Sequence, residues 1–266
     1  NCFPTRRSSD LKPEMEFFAI GIRLAGSGSL LLEDTLIELQ VQTAEDLAAQ
    51  YEAKLKILQQ AQKKEVENSM KQIEACIRLQ HYLGSDTLLP DFHNWPISPD
   101  FGVLLINLVE QNSYDAIIEF GSGTSTLILA KALERVSRRE GSTPSPLLSF
   151  DHLQEYRDKT QTLLKQAGLT EYASVDLAPL VHWQDQQGES FSYYACDAAL
   201  HELKQRLPDS ATRVLVVVDG PPAATGRHAR YPALPKVLDV FPPEIFTSHI
   251  LLDDFLRTDE QEIVAR

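Results

Sequence analysis

Apolar residues in the N-terminal third of the chain recur at steps of three and four. Residues 34–83 contain no proline or glycine. The apolar stripe, which Gln62 interrupts, consists of Leu47, Tyr51, Leu55, Leu58, Val66, Met70, Ile73 and Ile77. This spacing predicts a long helix with one apolar face. The face either pairs in a coiled coil, which could join two copies of the chain as a homo-oligomer, or lies on the chain's own domain.

The pattern changes after a proline-rich connection at residues 84–100. Short apolar runs, which predict strands, then alternate with amphipathic segments, which predict helices. We place strands near 114–119, 147–150, 173–177, 213–218 and 248–252, and helices near 101–111, 124–136, 153–167, 194–206 and 233–240. This alternation predicts an α/β fold, in which residues 101–266 form a doubly wound, mostly parallel Rossmann-like sheet.

The stretch "FPTRRSSDL" at residues 3–11 resembles the translation of a sequencing adapter. We therefore regard residues 1–11 as an artefact and assign residues 12–83 to the helical segment.

Composition argues against several classes of protein. The 266 residues carry a formal net charge of −13, whereas a general nucleic-acid binder needs clustered Lys and Arg. Cys2, Cys76 and Cys196 are scattered and form no CxxC pair. Disulfide scaffolds and zinc sites are therefore not expected, and a reducing cytoplasm fits. No apolar run reaches the roughly 20 residues that cross a bilayer.

A glycine-rich turn follows the first predicted strand, in "EFGSGTSTL" (119–127). Gly121 allows a sharp turn, Gly123 lets a ligand approach the backbone, and the next helix offers free N–H groups. A pyrophosphate dinucleotide is disfavoured because Thr126 replaces the third glycine of GxGxxG and because Glu119 would repel phosphate. S-adenosylmethionine, which carries a sulfonium and an ammonium but no phosphate, suits this turn better. The alternative is a tight turn that binds no ligand.

An acidic residue also ends the second predicted strand, in "LLSFDH" (147–152). Asp151 could accept hydrogen bonds from both ribose hydroxyls of an adenosine, and His152 could flank the adenine. Alternatively, Asp151 caps the following helix and His152 lies on the surface. The presence of Glu119 at the end of the neighbouring strand favours the ligand role.

From Trp95 to its end, the chain resembles class I S-adenosylmethionine-dependent methyltransferases. The resemblance rests on "EFGSGTSTL", "LLSFDHLQEYRDKTQTLLKQAGL", "VLVVVDGPP" and "ILLDDF", which stand in the order and spacing of that family. It implies a methyltransferase in which the glycine-rich turn holds the methionine part of the cofactor and Asp151 holds the ribose. The candidate cofactor-binding residues are Glu119, Gly121, Ser122, Gly123, Thr124, Asp151, His152 and Asp219. The family's sheet ends in a further strand pair, which we expect to be missing from this chain.

Acidic residues also follow the predicted strands at 213–218 and 248–252. Asp219 follows the first of these strands, and Asp253 and Asp254 follow the second. The three carboxylates could bind Mg²⁺ or Ca²⁺, an arrangement that partly resembles catechol O-methyltransferase-like enzymes. A bound cation would lower the pKa of an acceptor hydroxyl. Without a metal, Asp219 would act as base or positioner, and one of the other acids would cap the next helix.

The loop "TGRHARYP" (225–232) lies between these two strands. His228 is a second candidate catalytic base, and Arg227, Arg230 and Tyr231 are candidates for binding an acidic or sugar-like acceptor. The alternative is a solvated loop. Together these residues predict transfer of a methyl group to a small-molecule or glycan-type hydroxyl. Two other functions stay open: a non-catalytic coiled-coil scaffold with a vestigial Rossmann-like domain, and an NAD-dependent oxidoreductase.

Overall fold

A computed structural model describes residues 44–84 and 97–266. Predictions for other residues lie outside this part of the chain. They concern the adapter-like N-terminus, the long helix before residue 44, and the linker at 85–96 with Trp95. The contacts within the chain divide it into one unit that ends at Glu67 and a second unit that begins at Asn68.

The predicted long helix is present as α1, Ala44–Leu83. Its apolar stripe is more than half exposed at every position from Tyr51 to Ile77. Towards its C-terminal end, α1 contributes the buried residues Leu79 and Leu83 to the core of the second unit. Pairing of the stripe with another helix stays a prediction. Within the described ranges, none of the helices combines the length and apolarity needed to cross a membrane.

Strands and helices alternate through the second unit, as predicted. The strands are β1 (Ala116–Phe120), β2 (Leu147–Asp151), β3 (Ser174–Leu177), β4 (Leu180–Gln184), β5 (Ser190–Tyr194), β6 (Arg213–Val218) and β7 (Thr247–Leu252). The helices are α2 (Pro99–Gln111), α3 (Thr124–Glu140), α4 (Gln154–Gln166), α5 (Asp197–Arg206), α6 (Ala233–Val240) and α7 (Thr258–Ala265), with a short 3₁₀ helix at Ala223–Thr225. Five strands form one sheet in the order β3-β2-β1-β6-β7, and every neighbouring pair is parallel. The doubly wound, Rossmann-like α/β fold is therefore confirmed.

Two apolar cores cover the two faces of this sheet. On β1, Ile117 belongs to the core that includes α2, α3 and α4, whereas Ile118 and Phe120 belong to the core that includes α5 and α6. All five residues of β1 are buried. A strand covered on both faces has no solvent-facing positions, which explains its continuous apolar run.

The hairpin of β4 and β5 was not predicted. These strands pair antiparallel and form a separate two-stranded sheet. Its turn is held by the carboxylate of Asp185, which accepts hydrogen bonds from the backbone N–H groups of Gln187 (2.9 Å) and Glu189 (2.8 Å). Because β5 extends to Tyr194, the helix expected from residue 194 begins at Asp197 instead.

Candidate functional site

The carboxyl ends of β1 and β6 form the centre of the candidate site. The chain runs from β1 to β2 on one side and returns to β6 on the other, so the strand order reverses between β1 and β6. Ligands of doubly wound sheets bind outside the strand ends at such a point. The N–H of Gly121 donates to the carbonyl of Phe150 (3.0 Å), and the N–H of Asp219 donates to the carbonyl of Phe120 (2.8 Å). The glycine-rich turn therefore lies beside Asp219.

Gly121 shapes the turn that leaves β1. Its φ is +100°, an angle that residues with a side chain rarely adopt. A Cβ on Gly121 would also lie 3.0 Å from the carbonyl carbon of Asp219 and 3.0 Å from the nitrogen of Gly220. At Gly123, directly before α3, a Cβ would meet open space. The backbone angle and the nearby β6 thus require glycine at 121, whereas the space at 123 can admit a ligand.

Glu119 is fixed beneath the turn by two hydroxyl groups. It is fully buried, and its Oε2 accepts hydrogen bonds from Thr126 Oγ1 (2.5 Å) and Ser149 Oγ (2.6 Å). Thr126 Oγ1 in turn accepts a hydrogen bond from the N–H of Gly123 (3.0 Å). The carboxylate is therefore linked to the turn by Thr126 and to β2 by Ser149. Thr126 is the residue that replaces the third glycine of a dinucleotide fingerprint.

The other oxygen of Glu119 is buried and has no hydrogen-bond partner among the described residues. Burial raises the pKa of Glu119, hydroxyl hydrogen bonds oppose this rise, and the charge of Asp151 adds to it. The hydroxyl of Ser125 is one of the groups that oppose the rise, so the protein itself already supplies several donors to this carboxylate. Glu119 points into the layer between the sheet and α3, so its contact with a cofactor stays a prediction.

Asp151 connects the end of β2 to the glycine-rich turn. Its Oδ2 accepts a hydrogen bond from Ser122 Oγ (2.9 Å), and its Oδ1 accepts one from the N–H of Leu153 (3.0 Å). Leu153 is the N-cap residue of α4, so Asp151 also supports the start of that helix. Nδ1 of His152 lies 3.8 Å from Asp151 Oδ1, and its ring packs edge-on against Tyr194. The glycine-rich turn, Asp151 and His152 therefore lie next to one another at the ends of β1 and β2.

Asp219 is the candidate base, and it lies beside the glycine-rich turn. Burial, together with the negative charge of Asp253, raises the pKa of Asp219 to about 8, although Arg230 lowers it. General bases work best when their pKa lies near the operating pH. Once ionised, Asp219 can therefore accept a proton from an acceptor hydroxyl.

The three predicted metal ligands meet around the guanidinium of Arg230. One carboxylate oxygen from each of Asp219, Asp253 and Asp254 lies within 4.8 Å of the others. Arg230 Nη2 donates to Asp219 O (3.0 Å), Asp219 Oδ1 (3.2 Å) and Asp254 Oδ2 (3.0 Å), and Nη1 donates to Asp253 O (3.0 Å). Arg230 is only 5% exposed, so its role in binding substrate stays a prediction that this geometry does not favour. Binding of a divalent cation by these carboxylates stays a prediction, and Arg230 already engages oxygens of Asp219 and Asp254.

The side chain of His228 contacts α7. It is 2% exposed, and its Nε2 lies 2.6 Å from Glu262 Oε2. Its backbone N–H donates to Asp259 Oδ2 (3.2 Å). Arg227 binds the same oxygen of Glu262 at 2.8 Å and is otherwise largely exposed. The loop is therefore attached to α7, and roles for His228 in catalysis and Arg227 in substrate binding stay predictions that these contacts do not favour.

Tyr231 lines a cavity of about 510 Å³ beside the hairpin and α6. Its ring centroid lies 5.1 Å from that of Phe191 and 6.3 Å from that of Trp183. Three glutamine and three aspartate side chains also line the cavity. The buried Lys236 Nζ binds Asp197 at 2.6 and 2.8 Å. Aromatic rings beside amide and carboxylate groups can bind a polyhydroxylated molecule.

Tyr194 is a site residue whose place the sequence did not reveal. It is 1% exposed, and its ring lies 5.8 Å from that of Phe120. Its hydroxyl reaches Gly220, where a Cβ would collide with it. Burial and the charges of Asp151 and Asp219 raise its pKa well above the ordinary value. A protonated hydroxyl therefore lies among the ends of β1, β2 and β6, although the alternation in "FSYY" indicates only a core position.

The chain is similar to methyltransferases of known structure. The O-methyltransferase from Bacillus cereus in complex with SAH is 16% identical over 67% of this chain and 70% of that chain, with a TM-score of 0.42. The O-methyltransferase TomG from Streptomyces achromogenes in complex with SAM is 15% identical over 65% of this chain and 68% of that chain, with a TM-score of 0.41. The SAH-bound methyltransferase PaMTH1 from Podospora anserina is 15% identical over 68% of this chain and 69% of that chain, with a TM-score of 0.39. No protein-family model and no curated protein matches the chain. At these identities and TM-scores, the likeness is too distant to assign an activity.

Proposed function

We propose that the chain is a methyltransferase that uses S-adenosylmethionine and acts on a hydroxyl of a small-molecule or glycan-type acceptor. The observation that carries this proposal is the ring of carboxyl groups around the glycine-rich turn: Glu119 beneath it, Asp151 beside Ser122, and Asp219 at the end of β6. At a separation of about 6 Å and an effective dielectric of about 20, each of these groups would, once ionised, repel a phosphate charge by roughly 3 kcal/mol. Burial raises the pKa of Glu119 and Asp219, so this preference for a cationic nucleoside over NAD would strengthen as the pH rises.

The residues of the turn and of β2 would hold the cofactor. The backbone at Gly121 and Gly123 would receive its methionine part beside the N-terminus of α3. Asp151 would exchange its hydrogen bond with Ser122 for bonds with the ribose hydroxyls. When bound, S-adenosylmethionine supplies a methyl group on a positively charged sulfur. The chain itself contributes orientation of the acceptor and a base for its proton.

The acceptor side would be formed by Asp219 and by the cavity beside Tyr231. An ionised Asp219 would take the proton of the reacting hydroxyl. The aromatic and polar lining at Tyr231 and Trp183 supports an acceptor with several hydroxyl groups, such as a glycan-type molecule. Of the three residues predicted to bind substrate, Tyr231 is therefore the one we retain.

Isothermal titration calorimetry tests the cofactor. The folded chain should bind S-adenosylmethionine and S-adenosylhomocysteine, and Asp151→Ala should weaken both by about tenfold or more because two hydrogen bonds to the ribose are lost. Asp158→Ala removes an exposed acid of α4 and should keep the wild-type affinity. NADH fluorescence should not change. Binding of NADH alone would favour an oxidoreductase, and binding of no cofactor by the folded chain would favour the scaffold.

Transfer of a radiolabelled methyl group tests the acceptor. Pools of small hydroxylated compounds and of oligosaccharides should contain at least one acceptor. Tyr231→Ala should lower transfer to oligosaccharides without changing cofactor affinity, because its ring lines the cavity and not the glycine-rich turn. Tyr156→Ala, on the exposed side of α4, is the matched control. Labelling of amines or thiols alone would contradict the hydroxyl acceptor.

A further inference from the structure

Arg230 joins the ends of two neighbouring strands of the sheet. Its two terminal nitrogens collect four oxygen acceptors: the backbone carbonyls of Asp219 and Asp253, and the carboxylates of Asp219 and Asp254. Asp219 follows β6, and the other two acids follow β7. A single positive group that contacts oxygens from separate strand ends holds those ends together. A bound divalent cation would have the same effect at this edge of the sheet. The planar fork of arginine suits several acceptors at once.

We propose that Arg230 is the resident cation of this acidic cluster, so that the protein needs no divalent metal and the position of Asp219 is set by a guanidinium. Mg²⁺ and Ca²⁺ require about six or more oxygen ligands at roughly 2.0–2.6 Å. Here the carboxylate oxygens of Asp219 and Asp254 lie 3.2 and 3.0 Å from Arg230 Nη2. The guanidinium therefore engages one oxygen of each of these two carboxylates, and its positive charge would repel a divalent cation beside it. Arg230 is thus a positioning residue for the candidate base.

A second guanidinium, that of Arg257, contacts the same acidic cluster. Arg257 Nη1 lies 2.7 Å from the oxygen of Asp254 that also accepts from Arg230. Asp254 has a φ of +60°, which is uncommon for a residue with a side chain and persists only when its surroundings hold it. The two guanidinium contacts provide such support. Glu260, which is 2% exposed, lies 3.9 Å from both arginines and adds to the network. The network therefore sets two guanidiniums against four carboxyl groups, and Arg230 Nε and Glu260 Oε2 have no hydrogen-bond partner among the described residues.

Manganese binding tests this inference directly. The wild-type chain should bind no Mn²⁺ at about 1 mM by electron paramagnetic resonance, and EDTA should not change its Tm. Arg230→Ser removes the guanidinium and leaves three carboxylates whose oxygens lie within 4.8 Å of one another. This variant should bind Mn²⁺ detectably at about 0.1 mM, tenfold below the concentration at which the wild type shows none, and Mg²⁺ should raise its Tm. Arg227→Ser, which alters an exposed arginine bound to Glu262, should behave as the wild type.

Stoichiometric Mn²⁺ binding by the wild type that disappears in Asp219→Asn would overturn the proposal. A folded Arg230→Ser variant that binds no more Mn²⁺ than the wild type would count equally against it. If that variant does not fold, the wild-type measurement still decides, and Arg230→Lys, which keeps the charge, should fold without binding Mn²⁺. The Mn²⁺ and Tm measurements need no methyl donor or acceptor. A result that contradicts the role of Arg230 can therefore be told apart from one that contradicts the methyltransferase proposal.

Discussion

Replacement of Gly121 by alanine tests the glycine-rich turn, and Gly123 supplies the control. At the φ of +100° found at Gly121, an alanine is strained by roughly 1–3 kcal/mol. Its methyl group would lie 3.0 Å from the backbone of Asp219 and Gly220, and the resulting displacement of β6 adds roughly 1–3 kcal/mol. The free energy of unfolding should fall by about 2–6 kcal/mol, a large share of the 5–15 kcal/mol typical of proteins.

Urea unfolding, followed by tryptophan fluorescence, measures this loss. With an m-value of about 2 kcal/mol/M, Gly121→Ala should lower the midpoint by about 1–3 M. Gly123→Ala should leave the midpoint almost unchanged because its methyl group meets open space. The same methyl group should weaken S-adenosylmethionine binding in calorimetry by about tenfold. A wild-type midpoint in Gly121→Ala, or wild-type binding in Gly123→Ala, would refute this account of the turn.

Three further predictions concern the base, the support of the turn and the long helix. Between its ordinary pKa and about 8, the folded chain keeps a proton on Asp219 that the unfolded chain has lost. Stability in urea should therefore fall by about 2 kcal/mol from about pH 6 to about pH 8, and a slope that persists in Asp219→Asn would contradict this assignment. Thr126→Val removes the hydroxyl that links Glu119 to the turn and should cost about 1–3 kcal/mol in urea unfolding; unchanged stability would show that the link is dispensable. The double variant Leu55→Glu and Leu58→Glu should dissociate a homo-oligomer in light scattering, whereas a monomeric wild type would remove that prediction.

The parallel sheet could be predicted from the sequence because its central strands are buried on both faces. Five of the six residues in Arg213–Val218 are buried, and the run is rich in β-branched residues. The hairpin could not be recognised in the same way. None of the residues in Leu180–Gln184 is buried, so β4 carries no core-facing period, and the short alternation of Phe191 and Tyr193 with exposed serines in β5 stands without a partner strand in the sequence pattern.

The candidate site could be predicted only where its residues directly follow strands. Gly121 and Asp151 could be placed at the sheet edge because each stands at or just beyond the end of a strand. Arg230 lies 11 residues from Asp219 and 24 from Asp254 in the chain. No local pattern indicates that its guanidinium folds back between them, because this depends on the path of the loop and on its attachment to α7. The acidic residues alone therefore predicted a metal site.

The hairpin of β4 and β5 contributes residues to the cavity and to the end of β6 while belonging to a sheet of its own. Trp183 faces the cavity, and Tyr194 reaches the end of β6 at Gly220. Under the proposed function, substitutions on β4 would alter which acceptor is bound and leave the parallel ladder intact. Among related proteins, the amino acids at residues 180–190 would therefore vary readily. The glycine at 121 would vary little, because a side chain there meets the backbone of Asp219 and Gly220.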